Sequence, residues 1–92
     1  MARPRKQRRI CFNPEVTYFK PQGIPLRELE EVILGHDELE ALRLKYEEGL
    51  NQHDCACKMK ISQSTFQRLL TSAKRKMAEA LTQGKAIRIE KS

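Results

Sequence analysis

The sequence predicts a mainly α-helical fold, with three consecutive helices and short β-strands near the N- and C-termini. Three observations lead to this prediction. Apolar residues recur at helical spacing between Phe66 and Leu81, residues that favour helix ends flank two earlier segments, and residues 86–90 alternate between apolar and polar side chains. A chain of 92 residues suits a single domain.

The first predicted helix covers residues 37–48. Asp37 precedes Glu40 by three residues, a spacing typical of a capping box, and Gly49 stands where a helix end favours a left-handed residue. The side chains expected to face the core are Leu39, Leu42 and Tyr46. We expect the acidic residues of segment 28–48 to lie on solvated helix faces.

The second and third predicted helices are separated by a short turn. Asn51 is suited to cap a helix over residues 52–59, and Ser62 is suited to cap a longer helix that ends at Gly84. Lys60 stands where the turn normally favours glycine, so a left-handed backbone there costs about 1 kcal/mol. The inward side chains of the second helix are Cys55, Ala56 and Met59. The apolar stripe of the third helix consists of Phe66, Leu69, Leu70, Ala73, Met77, Ala80 and Leu81.

The strand predictions concern both ends of the chain. Ile10–Phe12 and Val16–Phe19 are short β-prone runs separated by a turn at Pro14. Residues 86–90 are predicted to form a terminal strand, which we expect to pair with Ile10–Phe12. The stretch Leu26–Leu34 is compatible with either a helix or a strand.

A short helix, a three-residue connection and a longer helix together form the pattern of a helix-turn-helix core, here over residues 36–83. In such a motif the last helix enters the major groove of DNA by its N-terminus, so its early exposed side chains must form hydrogen bonds with base edges. The predicted base-reading residues are Gln63, Ser64, Thr65, Gln67 and Arg68. The sequence therefore predicts a sequence-specific DNA-binding protein that regulates transcription.

The charge distribution favours a polyanion such as double-stranded DNA as the partner. The chain has 18 Lys and Arg against 12 Asp and Glu, a net charge of +6. Residues 1–10 carry +5, residues 28–48 carry −6 and residues 71–92 carry +4. Residues 1–9 are predicted to form a flexible basic arm, and residues 10–92 a single domain. The candidate phosphate-binding residues are Arg3, Arg5, Lys6, Arg8, Arg9, Lys60, Ser72, Lys74, Arg75 and Lys76.

The segment Gly35–Leu81 resembles region four of bacterial sigma factors. The whole chain is more similar still to a small prokaryotic family, domain of unknown function 134 (UPF0251), in the runs RRICFNPEVTYFKPQGIPLRELEEVIL, DELEALRL, STFQRLL and GKAIRIE. This resemblance covers nearly all of the chain and implies a DNA-binding regulator with a helix-turn-helix. The chain departs from the family pattern at Lys60 in the turn and at Cys55 and Cys57, where such proteins more often carry Ala and Glu.

A metal- or redox-sensing regulator is an alternative that the Cys and His residues suggest. The candidate ligands are Cys11, Cys55, Cys57, His36 and His53. On a helix Cys55 and Cys57 point about 200° apart, and the sequence has no CxxC pair of the kind that zinc sites usually contain. We therefore predict no metal site and no cofactor. We also expect no enzyme, since the sequence has no glycine-rich phosphate loop and no triad pattern.

A protein–protein interaction module, in which the same helix-turn-helix binds protein instead of DNA, is the other alternative. The acidic segment 28–48 would then dock RNA polymerase or another partner protein. The sequence also leaves a homodimer open, because helix-turn-helix proteins often read two half-sites as dimers. No run approaches the roughly 18 apolar residues of a membrane span, so we expect no membrane contact and a cytoplasmic location.

Overall fold

The computed structural model describes residues 14–91 of the chain. Its helices are α1 (His36–Leu42), α2 (Gln52–Met59) and α3 (Gln63–Gln83), and its strands are β1 (Tyr18–Phe19), β2 (Glu31–Leu34) and β3 (Ala86–Ile89). A 3₁₀ turn, Leu26–Glu28, precedes β2, and a π-helical segment, Arg43–Glu47, continues α1. The predicted mainly α-helical fold with a helix-turn-helix and short strands is therefore confirmed.

The first helix begins one residue earlier than predicted, and its cap is different. Gly35 is the N-cap residue, since β2 ends at Leu34 and Gly35 keeps an extended backbone (φ −69°, ψ 156°). Oε1 of Glu38 accepts a hydrogen bond from the Gly35 N–H at 2.7 Å, and Oδ1 of Asp37 accepts one from the Glu38 N–H at 2.9 Å. The predicted capping box between Asp37 and Glu40 is therefore wrong.

The π-helical segment changes which side chains of this region face the core. Ala41 and Leu44 are buried, whereas Leu39 and Leu42 are half-buried and Tyr46 is 57% exposed. The prediction that Tyr46 faces the core is wrong because the wider π turn rotates the side chains that follow α1 away from their α-helical positions.

The turn between α2 and α3 has the predicted caps and the predicted backbone. Oδ1 of Asn51 accepts a hydrogen bond from the Asp54 N–H at 2.8 Å, and Oγ of Ser62 accepts one from the Thr65 N–H at 3.1 Å. Lys60 adopts the left-handed conformation (φ 60°, ψ 45°). These local features hold α3 at the end of α2 and expose its N-terminal half.

The three strands form one sheet in the order β1-β3-β2. The central strand β3 is antiparallel to β1, with Tyr18 opposite Arg88, and parallel to β2, with Leu34 opposite Ile89. The stretch Leu26–Leu34 is thus a 3₁₀ turn followed by a strand. The predicted pairing of residues 86–90 with Ile10–Phe12 concerns residues outside the described part of the chain.

Two apolar clusters make up the core, and α3 contributes to both. The first lies between α1, α2 and α3, and its buried members are Ala41, Leu44, Cys55, Ala56, Met59, Phe66 and Leu70. The second joins α3 to the sheet, and its buried members are Val32, Leu34, Ala73, Ala80, Ile87 and Ile89. The inward positions predicted for α2 are confirmed.

The predicted apolar stripe of α3 is wrong at its C-terminal end. Leu81 is 75% exposed, whereas Ala80 is buried against the sheet. Along the rest of the helix the predicted stripe residues are buried or half-buried. Within residues 14–91 no helix is both long enough and apolar enough to cross a bilayer.

Candidate nucleic-acid interface

The N-terminal half of α3 presents most of the predicted base-reading residues to solvent. The exposed members are Gln63, Ser64, Gln67 and Arg68. Thr65 is half-buried, and Oγ of Ser62 donates a hydrogen bond to its Oγ1 at 3.0 Å. Thr65 is therefore part of the helix cap as well as a neighbour of the exposed residues.

Two side-chain bridges from α2 orient the glutamines of this surface. Nε2 of Gln52 donates a hydrogen bond to Oε1 of Gln67 at 2.6 Å, and Nε2 of Gln67 donates one to Oγ1 of Thr71 at 3.2 Å. Nε2 of Gln63 lies 3.2 Å from Nδ1 of His53. Both glutamines are thus held by polar partners before any ligand binds, which reduces the entropy lost on binding.

The sequence analysis did not single out Gln52, His53 and Thr71 as interface residues. The signal available for them was their polarity at the start of α2 and on the polar face of α3. Their role depends on how α2 packs beside α3, and the spacing of residues within one helix does not contain this information.

A line of polar residues runs along the side of α3 opposite the buried stripe. Ser64, Arg68, Thr71 and Arg75 succeed one another at intervals of four and three residues and are all exposed. Residues 62–78 contain no Asp or Glu. This face therefore combines hydrogen-bonding groups near the helix N-terminus with positive charge further along.

The predicted phosphate-binding residues in the described part of the chain divide into two groups. Lys60, Lys74 and Arg75 are exposed. The ammonium of Lys74 lies 5.9 Å from the centroid of the Tyr46 ring, which places this lysine on the flank of α3 next to the π-helical segment. The predicted contacts at Arg3, Arg5, Lys6, Arg8 and Arg9 lie outside the described residues.

Ser72 and Lys76 form the second group, and both are bound to a buried acid. Nζ of Lys76 lies 2.9 Å from Oε1 of Glu38 and donates to the carbonyl oxygen of Ile33 at 2.7 Å. Oγ of Ser72 donates to Oε2 of the same carboxylate. The structure therefore places these two residues in the packing of α3 against α1 and β2, away from the exposed line.

The Glu38 carboxylate remains charged although it is only 7% exposed. Burial acts to raise its pKa, but hydrogen bonds from Ser72, from the Gly35 N–H and from Lys76 outweigh burial and hold the pKa below its ordinary value of 4.5. The expectation that the acids of residues 28–48 all lie on solvated faces is wrong at this position.

Glu40 is a second buried acid of the same segment, at 1% exposed. Its two oxygens accept hydrogen bonds from Nε and Nη2 of Arg43, each at 2.9 Å. Nη1 of Arg43 also reaches Oε2 of Glu48 at 3.1 Å. A bidentate arginine compensates for the cost of burying this carboxylate.

Glu31, on β2, is an acid of segment 28–48 whose carboxylate is bound by side chains of the other two strands. Its carboxylate accepts hydrogen bonds from Nη2 of Arg88 at 2.8 Å and from Oη of Tyr18 at 2.9 Å. The hydrogen bonds from Arg88 and then Tyr18 hold the pKa of Glu31 below its ordinary value. The acidic segment is thus partly engaged in contacts within the chain.

The two cysteines of α2 lie on different sides of the helix, as the spacing predicts. Cys55 is fully buried in the first cluster, and burial raises the pKa of its thiol. Cys57 is exposed, and its Sγ lies 3.6 Å from Nε2 of His53. Within residues 14–91 no group of three or more Cys, His, Asp and Glu side chains is arranged to hold a metal ion.

A capped short helix, a left-handed turn and a long helix with an exposed polar N-terminal half define a helix-turn-helix protein. The chain belongs to the family described as "Protein of unknown function DUF134", whose model matches residues 1–92. The family resemblance of the sequence is thereby confirmed.

Relatives of high identity carry the name UPF0251 protein. The chain is 60% identical over 90 residues to the protein of Moorella thermoacetica, covering 98% of this chain and 60% of that protein. It is 61% identical over 90 residues to the protein of Desulforudis audaxviator, covering 98% and 59%. For Halothermothrix orenii the identity is 57% over 90 residues, covering 98% and 67%. The chain thus spans about three fifths to two thirds of the length of these relatives. No solved structure matches the chain.

Proposed function

We propose that this chain is a sequence-specific DNA-binding domain that inserts the N-terminal half of α3 into the major groove. The observation that carries the proposal is the exposed face of α3, where two glutamines are held by partners on α2 and α3 and no acid interrupts residues 62–78. A surface that is only solvated has no need of side chains fixed in this way.

The exposed side chains match the groups that base edges offer. Arg68 is suited to bind O6 and N7 of guanine, and Gln63 and Gln67 are suited to bind adenine. Arg75, about two turns further along α3 than Arg68, would contact phosphate together with Lys74. Lys60, which is exposed at the turn between α2 and α3, would contact a DNA phosphate.

The biological role that follows from such binding is regulation of transcription. A homodimer would read two half-sites about one helical turn apart, whereas a monomer would read one. The regulatory role, the cytoplasmic location and the state of association all belong to this proposal. The role, location and association of any longer protein that contains this domain are proposals as well.

A salt titration of binding to duplex DNA tests the proposal. The affinity for a fluorescent duplex, measured by anisotropy, should fall linearly on a double-logarithmic plot with a slope of about 0.9 per phosphate contacted. Affinity that does not depend on salt, or no binding at low salt, would contradict it.

A groove beside the π-helical segment favours a second candidate function, docking of a partner protein. It has a volume of about 630 Å³, and its lining residues are Leu39, Leu42, Arg43, Tyr46, Glu47 and Glu48. Its apolar floor and the net negative charge of Glu47, Glu48 and Arg43 at its rim suit a basic partner segment. The alanine variant of Tyr46 should weaken such an interaction and leave the affinity for duplex DNA within twofold.

A further inference from the structure

The exposed side of α2 carries a thiol and an imidazole that approach each other closely. His53 and Cys57 are four residues apart, so they lie on the same face of the helix. Nε2 of His53 is 3.6 Å from Sγ of Cys57, and both residues are exposed. The two groups can therefore be reached from solvent without opening the core.

This distance is the one that a tetrahedral zinc ion requires between two of its ligands. With Zn–S near 2.3 Å and Zn–N near 2.0–2.1 Å, sulfur and nitrogen bound to the same ion lie about 3.6 Å apart. The separation of His53 and Cys57 therefore lets both side chains reach one ion without a change of the helix backbone. Cys55 cannot take part, since it is buried on the other side of α2.

Gln63 provides the outer contact that metal-binding histidines usually have. Its amide lies against Nδ1 of His53, at 3.2 Å. An amide can present either its NH₂ or its oxygen to a ring nitrogen. When Nε2 binds a metal, Nδ1 carries the proton, and the Gln63 oxygen would accept it in the hydrogen bond that orients such ligands.

We propose that His53 and Cys57 chelate a thiophilic divalent cation of the Zn²⁺ class, and that its binding regulates DNA recognition through Gln63. Within residues 14–91 no third Cys, His, Asp or Glu side chain lies with these two, and water can reach the remaining positions of the ion because both side chains are exposed. This departs from the sequence-based expectation of no metal site, which rests on the opposite orientations of Cys55 and Cys57 and on the absence of a CxxC pair from the sequence.

Binding of the ion has a defined balance of protons and charge. The Cys57 thiol releases one proton to solvent and binds as thiolate, while neutral His53 binds through the lone pair of Nε2. The site therefore gains one positive charge.

Binding of the ion also keeps the oxygen of Gln63 hydrogen-bonded to His53, so that the amide NH₂ of Gln63 is the group that remains available to a DNA base. The regulatory part of the proposal rests on the proposed function, but the binding of the ion does not.

Cobalt(II) titration of the reduced chain, without DNA, tests the site itself. Co²⁺ bound to thiolate gives a charge-transfer absorption in the near ultraviolet that saturates as the site fills. We expect this absorption in the unmodified protein and in Cys55→Ala, and its loss in Cys57→Ser and His53→Gln. Circular dichroism verifies that each variant is folded. No absorption, or absorption that survives Cys57→Ser, would overturn the proposal.

Duplex binding in Zn²⁺ and in EDTA tests the regulation. We expect Zn²⁺ to raise the affinity of the unmodified protein at least threefold, and Gln63→Ala to reduce this effect. Equal affinities at full occupancy of the site would overturn the regulatory link. If Co²⁺ binds as expected but the protein binds no duplex in either buffer, the proposed function fails while the metal site stands. If duplex binding occurs without any Co²⁺ absorption, the metal site fails while the proposed function stands.

Discussion

Nζ of Lys76 lies 2.9 Å from Oε1 of Glu38 and so joins α3 to the first turn of α1. The same carboxylate caps the N-terminus of α1 through Gly35 and accepts a hydrogen bond from Ser72. One buried acid thus links the cap of α1 to α3, and Lys76 in turn donates to the Ile33 carbonyl oxygen of β2. This arrangement separates the cations that hold the fold together from those available to a ligand.

Glu38 should make the stability of the domain depend on pH. Its pKa in the folded chain lies below the ordinary value of 4.5, so its contribution is complete above that value and is lost as the pH falls through the lower, folded pKa. We expect Glu38→Gln to lower the free energy of unfolding by about 1–2 kcal/mol at pH 7 and to flatten the pH dependence below 4.5. Urea unfolding at several pH values measures both. Equal pH profiles for the two proteins would contradict this assignment.

Neighbouring cations of α3 should have different effects on DNA binding. Arg75 is exposed, whereas Lys76 is bound to Glu38. We expect Arg75→Ala to lower the slope of the salt titration by about one phosphate contact and to leave the melting temperature nearly unchanged. Lys76→Ala should lower the melting temperature and leave the slope unchanged. The reverse pattern would show that Lys76 is the residue that faces DNA.

Lys60 allows the strain of the turn to be separated from its charge. Its left-handed backbone costs a side chain about 1 kcal/mol relative to glycine, so Lys60→Gly should raise the melting temperature. If its ammonium contacts phosphate, the same variant should bind duplex DNA more weakly. Lys60→Asn is the matched control, since asparagine tolerates this backbone but carries no charge. Unchanged affinity in both variants would remove Lys60 from the interface.

The Glu40–Arg43 pair should be important for stability. Glu40 is 1% exposed, and its removal takes away the two-point contact that its carboxylate makes with the Arg43 guanidinium. We expect Glu40→Ala to cost about 3 kcal/mol in the free energy of unfolding, as for one partner of a buried pair. Arg43→Ala and the double variant complete the cycle. An interaction energy near zero would mean that the pair contributes nothing beyond the packing of its side chains.

The features that sequence alone predicted well are local ones. Asn51 and Ser62 cap the helices that follow them because a short polar side chain reaches the backbone N–H two or three residues further along the chain. Lys60 adopts a left-handed backbone because the chain must reverse between two helices there. Each of these depends on a few consecutive residues, and such patterns are visible in a sequence.

The features that sequence missed depend on contacts between distant segments. Glu38 and Lys76 are 38 residues apart in the sequence. Glu38 is buried, and Lys76 is drawn away from the exposed face of α3, only because α1 packs on α3. The parallel pairing of β2 with β3 likewise spans the whole helical core. The contact between His53 and Cys57, by contrast, follows from a spacing of four residues on one helix, which a sequence does contain.

Selection of duplexes from a random DNA pool tests the central claim most directly. The experiment compares the unmodified chain with the variants Arg68→Ala and Arg27→Ala. Arg27→Ala is the control, because it removes an exposed arginine of the 3₁₀ turn and therefore the same single positive charge. We predict a defined motif for the unmodified chain and for Arg27→Ala, and loss of preference at one guanine for Arg68→Ala, equivalent to about 1–3 kcal/mol. An unenriched pool, or one motif for all three proteins, would contradict the assignment of α3 as the base-reading helix.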